Sequence, residues 1–209
     1  MAPSRVLLTT LISAGVALLC LLTLPMVGSS EVSYAPGLTG QSPDYEILFQ
    51  VRLPRVLLAL LSGSALALSG VLFQSLLRDA LATPYTLGVS SGASLGAVIA
   101  ISYGWRTIFG VNAIWVASFI GALATLLAVL GVASKQRRMS PFTLLLAGVT
   151  INSICMAAIL FLHSIAPFGQ SLAITRWLMG GIEAIEMSTL AWLAATLIPA
   201  FLVALLHAR

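Results

Sequence analysis

Residues 52–96 read RLPRVLLALLSGSALALSGVLFQSLLRDALATPYTLGVSSGASLG. Arg52 and Arg55 bracket Pro54, and an apolar run with small residues along one side follows. A polar turn comes at Arg78-Asp79-Ala80-Leu81-Ala82-Thr83-Pro84. A second apolar run then begins, in which Gly88, Gly92 and Gly96 recur at every fourth position. Residues four apart share a helix face, so the stretch reads as two membrane helices and the short loop between them.

The composition extends that reading to the whole chain. Hydrophobic residues make up 59% of 209 and charged residues 8%, with a mean hydropathy of +1.07, outside the range of soluble domains. The expected fold is all-α and integral to the membrane, a polytopic helix bundle. The net charge is +4, but the basic residues sit at the ends of apolar runs instead of on one solvated face. They read as topology signals and not as a nucleic-acid surface. Cys20 and Cys155 fall inside apolar runs, so neither a disulfide framework nor a metal cluster is implied.

Six spans are expected within a single transmembrane domain of residues 1–209: about 6–27, 56–77, 87–103, 111–133, 141–162 and 188–206. The first gives about 33 Å of helix against a hydrocarbon core of about 30 Å. A cleaved signal peptide competes for this run, but the run exceeds an h-region and no A-x-A site follows. Residues 31–50 carry Pro36, Gly37, Gly40 and Pro43 and read as a loop, after which Pro54 suits the N1 position of the second span. Leu66, Gly70 and Gln74 share a face there, which should meet protein because lipid cannot satisfy the amide. Along the third span Gly88, Gly92 and Gly96 leave a groove for close helix packing. Thr150, Asn152 and Ser153 in mid-span must face neighbouring protein or a watery path. Residues 163–186 are mixed and suit an interfacial or re-entrant helix.

Six spans place both termini on one side. With that side cytosolic, the inner segments hold Arg5, Arg78, Lys135, Arg137, Arg138 and Arg209, and the outer ones hold Arg52, Arg55, Arg106 and Arg176. The positive-inside rule favours this orientation. No Asp, Glu, Lys or Arg lies in the centre of these spans, where each costs about 2.5–3.5 kcal/mol on insertion scales. Ion-coupled carriers usually need such a group. No phosphate-binding G-x-x-x-x-G-K-[ST] is present. His163 and His207 fall at opposite membrane faces, which leaves no shared metal site.

Arg52-Leu53-Pro54-Arg55, Gly70, Gln74, Leu81-Ala82-Thr83-Pro84, Leu87-Gly88 and Ser91-Gly92-Ala93 together resemble the signature of FecCD-type permeases. Leu144–Val149 and Trp177-Leu178-Met179-Gly180-Gly181 are similar to further family blocks. These permeases are the membrane subunits of ATP-binding-cassette importers for ferric siderophores, haem and vitamin B12.

The resemblance implies about ten helices and a second permease subunit across a pseudo-two-fold axis. It also implies two cytosolic ATPases that hold the ATP and magnesium, and an external binding protein that delivers an iron-chelate, haem or cobalamin. In this chain itself it implies no cofactor. Arg52 and Arg55 match the arginines that dock the binding protein. Asp79 and Leu81 match the cytosolic gate loop, where the family reads Asn-Pro-Leu-Ala and this chain reads Asp79-Ala80-Leu81-Ala82. Asp79 brings a charge toward its symmetry mate unless Arg78 neutralises it. Gln74 and Asn152 are candidates for polar groups near the path. Coupling helices and four more spans are expected beyond the sixth, so the resemblance reads this chain as a fragment or a truncated frame. The expected location is the bacterial inner membrane with a cytosolic N-terminus. An ion-coupled carrier and a non-transporting scaffold are the competing functions.

Overall fold

The structure, a computed structural model, describes residues 3–28, 42–77, 83, 85–108, 110–134, 141–183 and 185–207. The helices longer than ten residues among these are α1 (Pro3–Thr23), α2 (Leu53–Leu77), α3 (Val89–Ser102), α4 (Ala113–Ser134), α5 (Pro141–Ile165), α6 (Phe168–Met179) and α7 (Met187–His207). Among the described residues, five helical stretches are long and apolar enough to cross a membrane; α3 and α6 are not among them. The chain is a predominantly helical, multi-pass membrane protein, and α6 is the separate short helix expected within residues 163–186.

Two expectations need correction. The third span is a 14-residue helix, about 21 Å long and so about 9 Å short of the hydrocarbon core. Glycine geometry sets both of its ends. Gly88 stands before it at φ 74° and Gly104 after it at φ 67°, left-handed conformations that glycine alone adopts without steric penalty. At the far end Gly104 N–H donates to the Ile101 carbonyl and Trp105 N–H to the Ala100 carbonyl, each at 3.0 Å, the two bonds of a Schellman cap.

Second, the end of the first polar segment is helical. Asp44–Glu46 forms an α-turn, and Ile47–Arg52 forms a π-helical turn that runs straight into α2. Pro54 is therefore inside a continuous helical run and not at its N1 position. Proline lacks an N–H and its ring collides with the carbonyl four residues back. The wider π turn, in which Leu53 N–H reaches the Leu48 carbonyl, accommodates it. Leu66 and Gln74 are exposed, and a Cβ on Gly70 would meet nothing within 4 Å.

Contacts gather the chain into two compact units, residues 69–181 and residues 1–68 with 182–209. In the first, α3 is central. Its partner α4 returns through the two-residue strands β1 (Thr107–Ile108) and β2 (Val111–Asn112), which pair antiparallel. α3 and α4 touch backbone to backbone. A Cβ on Gly92 would overlap the Thr125 side chain, one on Gly96 the Ala117 carbonyl, and one on Gly121 the Gly92 carbonyl. Partner numbers fall as α3 numbers rise, so the two helices are antiparallel.

Lipid tails are as apolar as leucine, so helices in a bilayer gain nothing from excluding water and associate through close packing. Single heavy-atom contacts are worth about 0.1–0.2 kcal/mol. The approach must therefore be close and extended, which the glycines permit. Val98, Ile159 and Ile174 form one buried cluster with Ile101, and Leu77, Leu87, Val129 and Ala147 form another. The first ties α6 to α3 and α5. His163 adds a polar tie, its Nε2 lying 3.0 Å from Ser171 Oγ and 3.2 Å from Thr175 Oγ1. Thr175 donates its hydroxyl proton to the Ser171 carbonyl at 2.9 Å, so both hydroxyls are held facing one ring nitrogen.

The other unit is more open. Between α2 and α7 lies an apolar gap of about 520 Å³ lined by Leu57, Leu60, Leu61, Met187, Leu190 and Ala191. The apolar windows of α1 and α2 contain no buried residue.

Replacing Gly96 by Leu drives a side chain into the Ala117 carbonyl and is expected to cost more than about 3 kcal/mol, the upper range of overpacking. It should abolish the monodisperse detergent-solubilised species. Gly63→Ala meets open space and gains up to about 1 kcal/mol of helix propensity. Equal melting temperatures for the two variants would refute the backbone contact as the support of this unit. His163→Ala should accelerate amide exchange across residues 168–179 at a cost of about 1 kcal/mol; exchange unchanged there would remove the polar tie.

Candidate functional site

The arginine pair stands where the π turn passes into α2. Pro25 closes α1 with a 3₁₀ turn over Leu24–Met26, since proline cannot continue the α-helical ladder. The Pro25 and Met26 carbonyls both accept hydrogen bonds from Arg52 Nη1, at 3.0 and 3.1 Å. Arg52 is half-buried and Arg55, three residues on, is exposed. The sequence brings the two arginines together, and the fold gives them different surroundings.

The glycine row stands elsewhere, along α3. Gly88 is fixed between turn and helix. Thr86 donates its hydroxyl to the Thr83 carbonyl at 2.7 Å, and Thr83 N–H donates to Thr86 Oγ1 at 3.1 Å. Gly88 N–H then donates to the Tyr85 carbonyl. A Cβ on Gly88 would lie 3.0 Å from the Gly148 carbonyl and 3.3 Å from the Asn152 nitrogen. The start of α3 is thus seated on the middle of α5, and Asn152 is half-buried at that crossing. Its neighbours Thr150 and Ser153 donate their hydroxyls to the Leu146 and Val149 carbonyls of their own helix, at 2.9 and 3.0 Å.

Gly88, Asn152, Gly92 and Gly96 therefore belong to one packed region. Gln74 lies near the C-terminal end of α2, exposed. Asp79 and Leu81 lie outside the described residues.

Sequence reasoning passed over the residues that complete the region: Ala117, Gly121 and Thr125 on α4, and Gly148 on α5. The signal was present. Ala117, Gly121 and Thr125 have the same four-residue spacing as Gly88, Gly92 and Gly96, as expected of two small-residue faces that meet. His163 with Ser171 and Thr175 was also missed as a group, because the eight- and twelve-residue separations have meaning only once α6 folds back on α5.

What this arrangement can do is positional. Closely packed glycines fix how three helices meet, and exposed Arg55 offers charge at the head of a fourth. Among the described residues no three His, Cys, Asp or Glu side chains come together as a metal site.

Comparison with known proteins places this architecture. A model of the FecCD transport family matches residues 12–209. The hemin transport system permease HmuU of Yersinia pestis is 36% identical over 167 residues, covering 79% of this chain and 50% of that protein. The vitamin B12 import system permease BtuC of Salmonella paratyphi A is 36% identical over 182 residues, covering 87% of this chain and 55% of that protein. The inward-facing structure of a transporter described as of the metal-chelate ABC type superposes with a TM-score of 0.68 at 27% identity, covering 87% of this chain and 56% of that one. The chain spans about half the length of these relatives. With the motifs of residues 52–96, the glycine-packed helices and a match running from residue 12 to residue 209, this multi-pass membrane chain belongs to the FecCD transport family.

Proposed function

We propose that the chain supplies membrane-spanning helices of a permease subunit in an ATP-driven importer of a metal chelate, an iron-siderophore, haem or a cobalamin. The observation that carries this reading is the family match over residues 12–209, joined to relatives whose names give hemin and vitamin B12 as cargo. The scarcity of charge within the spans supports it. A bundle without an intramembrane acid or base to bind a driving ion draws its work from another subunit. ATP and magnesium then belong to a cytosolic ATPase pair, and this chain performs no catalysis.

A second permease subunit completes the path, and an external binding protein delivers the chelate. The membrane is the bacterial cytoplasmic one, with the N-terminus inside on the positive-inside count. Exposed Arg55 is suited to meet a carboxylate of the binding protein, because guanidinium and carboxylate pair through two parallel hydrogen bonds. Asp79 and Leu81 take the gate role on sequence correspondence. Gln74 and Asn152 supply polar groups near the path.

Uptake of the labelled chelate into proteoliposomes holding the complete permease, its ATPase and its binding protein should require all three together with ATP. Uptake unchanged when the ATPase is omitted would overturn the reading. Arg55→Gln should weaken binding-protein affinity by about ten- to a hundredfold at low salt, the loss of about 1.5–3 kcal/mol expected for one charged hydrogen bond. It should also flatten the salt dependence. Surface-immobilised binding protein titrated at several ionic strengths measures both.

A further inference from the structure

We infer that the end of the α3 and α4 pair carrying Tyr103, Trp105, Arg106 and Trp115 is a lipid-contact surface. It seats against the headgroup of an anionic phospholipid and fixes the depth of the glycine-packed helices in the bilayer. This goes beyond the proposed function and holds whether or not the chain serves an importer.

Register decides which end of α3 reaches the membrane surface. α4 has 22 residues, about 33 Å of helix and enough to cross the hydrocarbon core. Gly96 on α3 lies against Ala117 on α4. Ser102 ends α3 six positions past Gly96, and Ala113 starts α4 four positions before Ala117. At about 1.5 Å per residue, the two helices finish there within about 3 Å of one level. In the other direction α4 continues to Ser134 while α3 begins at Val89, so the shortfall of α3 falls at its Gly88 end. The hairpin of β1 and β2 covers the level end. Its ladder is two residues long and closes only a few of the hairpin's amides and carbonyls, which suits headgroups and water and not hydrocarbon.

The side chains at that end match headgroups. α3 is buried or half-buried from Thr86 to Ser102, and exposure begins at Tyr103. Tyr103 is 71% exposed, Trp105 48% and Trp115 40%. The Tyr103 and Trp105 rings stack with centroids 6.0 Å apart and planes at 25°, so each steadies the other on the outside. Such rings have an apolar body and a polar tip, and they gather at headgroup level. Arg106 beside them is exposed, and a planar guanidinium pairs with phosphate oxygens through two hydrogen bonds.

A second observation says what covers this surface. Phe119, Leu123 and Leu127 follow Trp115 at every fourth position of α4, and all are exposed. They lie about 200° around the helix from Ala117, Gly121 and Thr125, so one face of α4 meets α3 and the other is an apolar stripe headed by a tryptophan. A docking face for a soluble protein has no reason to continue down a spanning helix. A basic, aromatic rim above an apolar stripe complements an anionic headgroup above its acyl chains.

The complete permease in nanodiscs tests the assignment. Phosphatidylcholine brominated near the headgroup end of its chains should quench tryptophan fluorescence in the parent. Trp105→Phe and Trp115→Phe, conservative changes at exposed positions, should each remove part of that quenching. Quenching by lipid brominated near the chain methyl end should stay nearly as in the parent. Native mass spectrometry from mixed phosphatidylcholine and phosphatidylglycerol discs should show retained phosphatidylglycerol. Arg106→Gln should weaken that retention about fivefold, the effect of one basic residue at an anionic surface. Shallow quenching unchanged in both tryptophan variants overturns the assignment, and so does phosphatidylglycerol held equally by Arg106→Gln and the parent. Weaker binding-protein affinity in Arg106→Gln with lipid retention unchanged would give the surface to a soluble partner instead.

Discussion

Everything in residues 69–181 depends on two helix backbones touching. α3 and α4 meet where Gly92 and Gly96 face Ala117, Gly121 and Thr125, with no room for one more carbon at any of the three glycines. In water such a contact would be one contribution among many beside hydrophobic burial. In a bilayer that burial drives nothing between helices, and the sum of many weak close contacts decides whether they associate. This constraint selects small residues at every fourth position on both helices. It also explains why the buried clusters of Val98, Ile101, Ile159 and Ile174 gather around α3: with its backbone pressed on one neighbour, its remaining faces are free to pack on α5 and α6.

Much of this was legible in the sequence because the bilayer imposes a plain rule. Only runs of about twenty apolar residues can span it as helix, and the long helices stand within a few residues of the runs at 6–27, 56–77, 111–133, 141–162 and 188–206. Gly88, Gly92 and Gly96 announced a close-packing face by spacing alone. Less legible was anything that depends on which face meets which. Gly121 sat in an apolar run with nothing local to mark it, and its role follows from being opposite Gly92 across a hairpin; Gly148 lay in a family block that does not say what it packs against. The π turn at Ile47–Arg52 was not legible either. Pro54 read as a helix start because proline is common there, whereas the preceding turn widens by one residue and lets the helix continue through it.

The candidate site divides in the same way. Residue type and order were enough to pick out Arg52 and Arg55, and not to separate them. Their difference comes from Pro25 and Gly28, more than twenty residues upstream, which bring two unpaired carbonyls and an empty corner to one guanidinium.

The shortness of α3 carries the last step. A helix of about 21 Å cannot cross a core of about 30 Å, so turn backbone at one or both of its ends must lie at membrane depth. Irregular backbone survives there only if its polar groups are met within the protein or face water. Several of these groups are met within the protein. Thr83 and Thr86 bond one another's backbone at one end, and the Gly104 and Trp105 amides close on the Ile101 and Ala100 carbonyls at the other. A helix built in this way packs on α4, α5 and α6, so its short length is offset by protein contact on several sides.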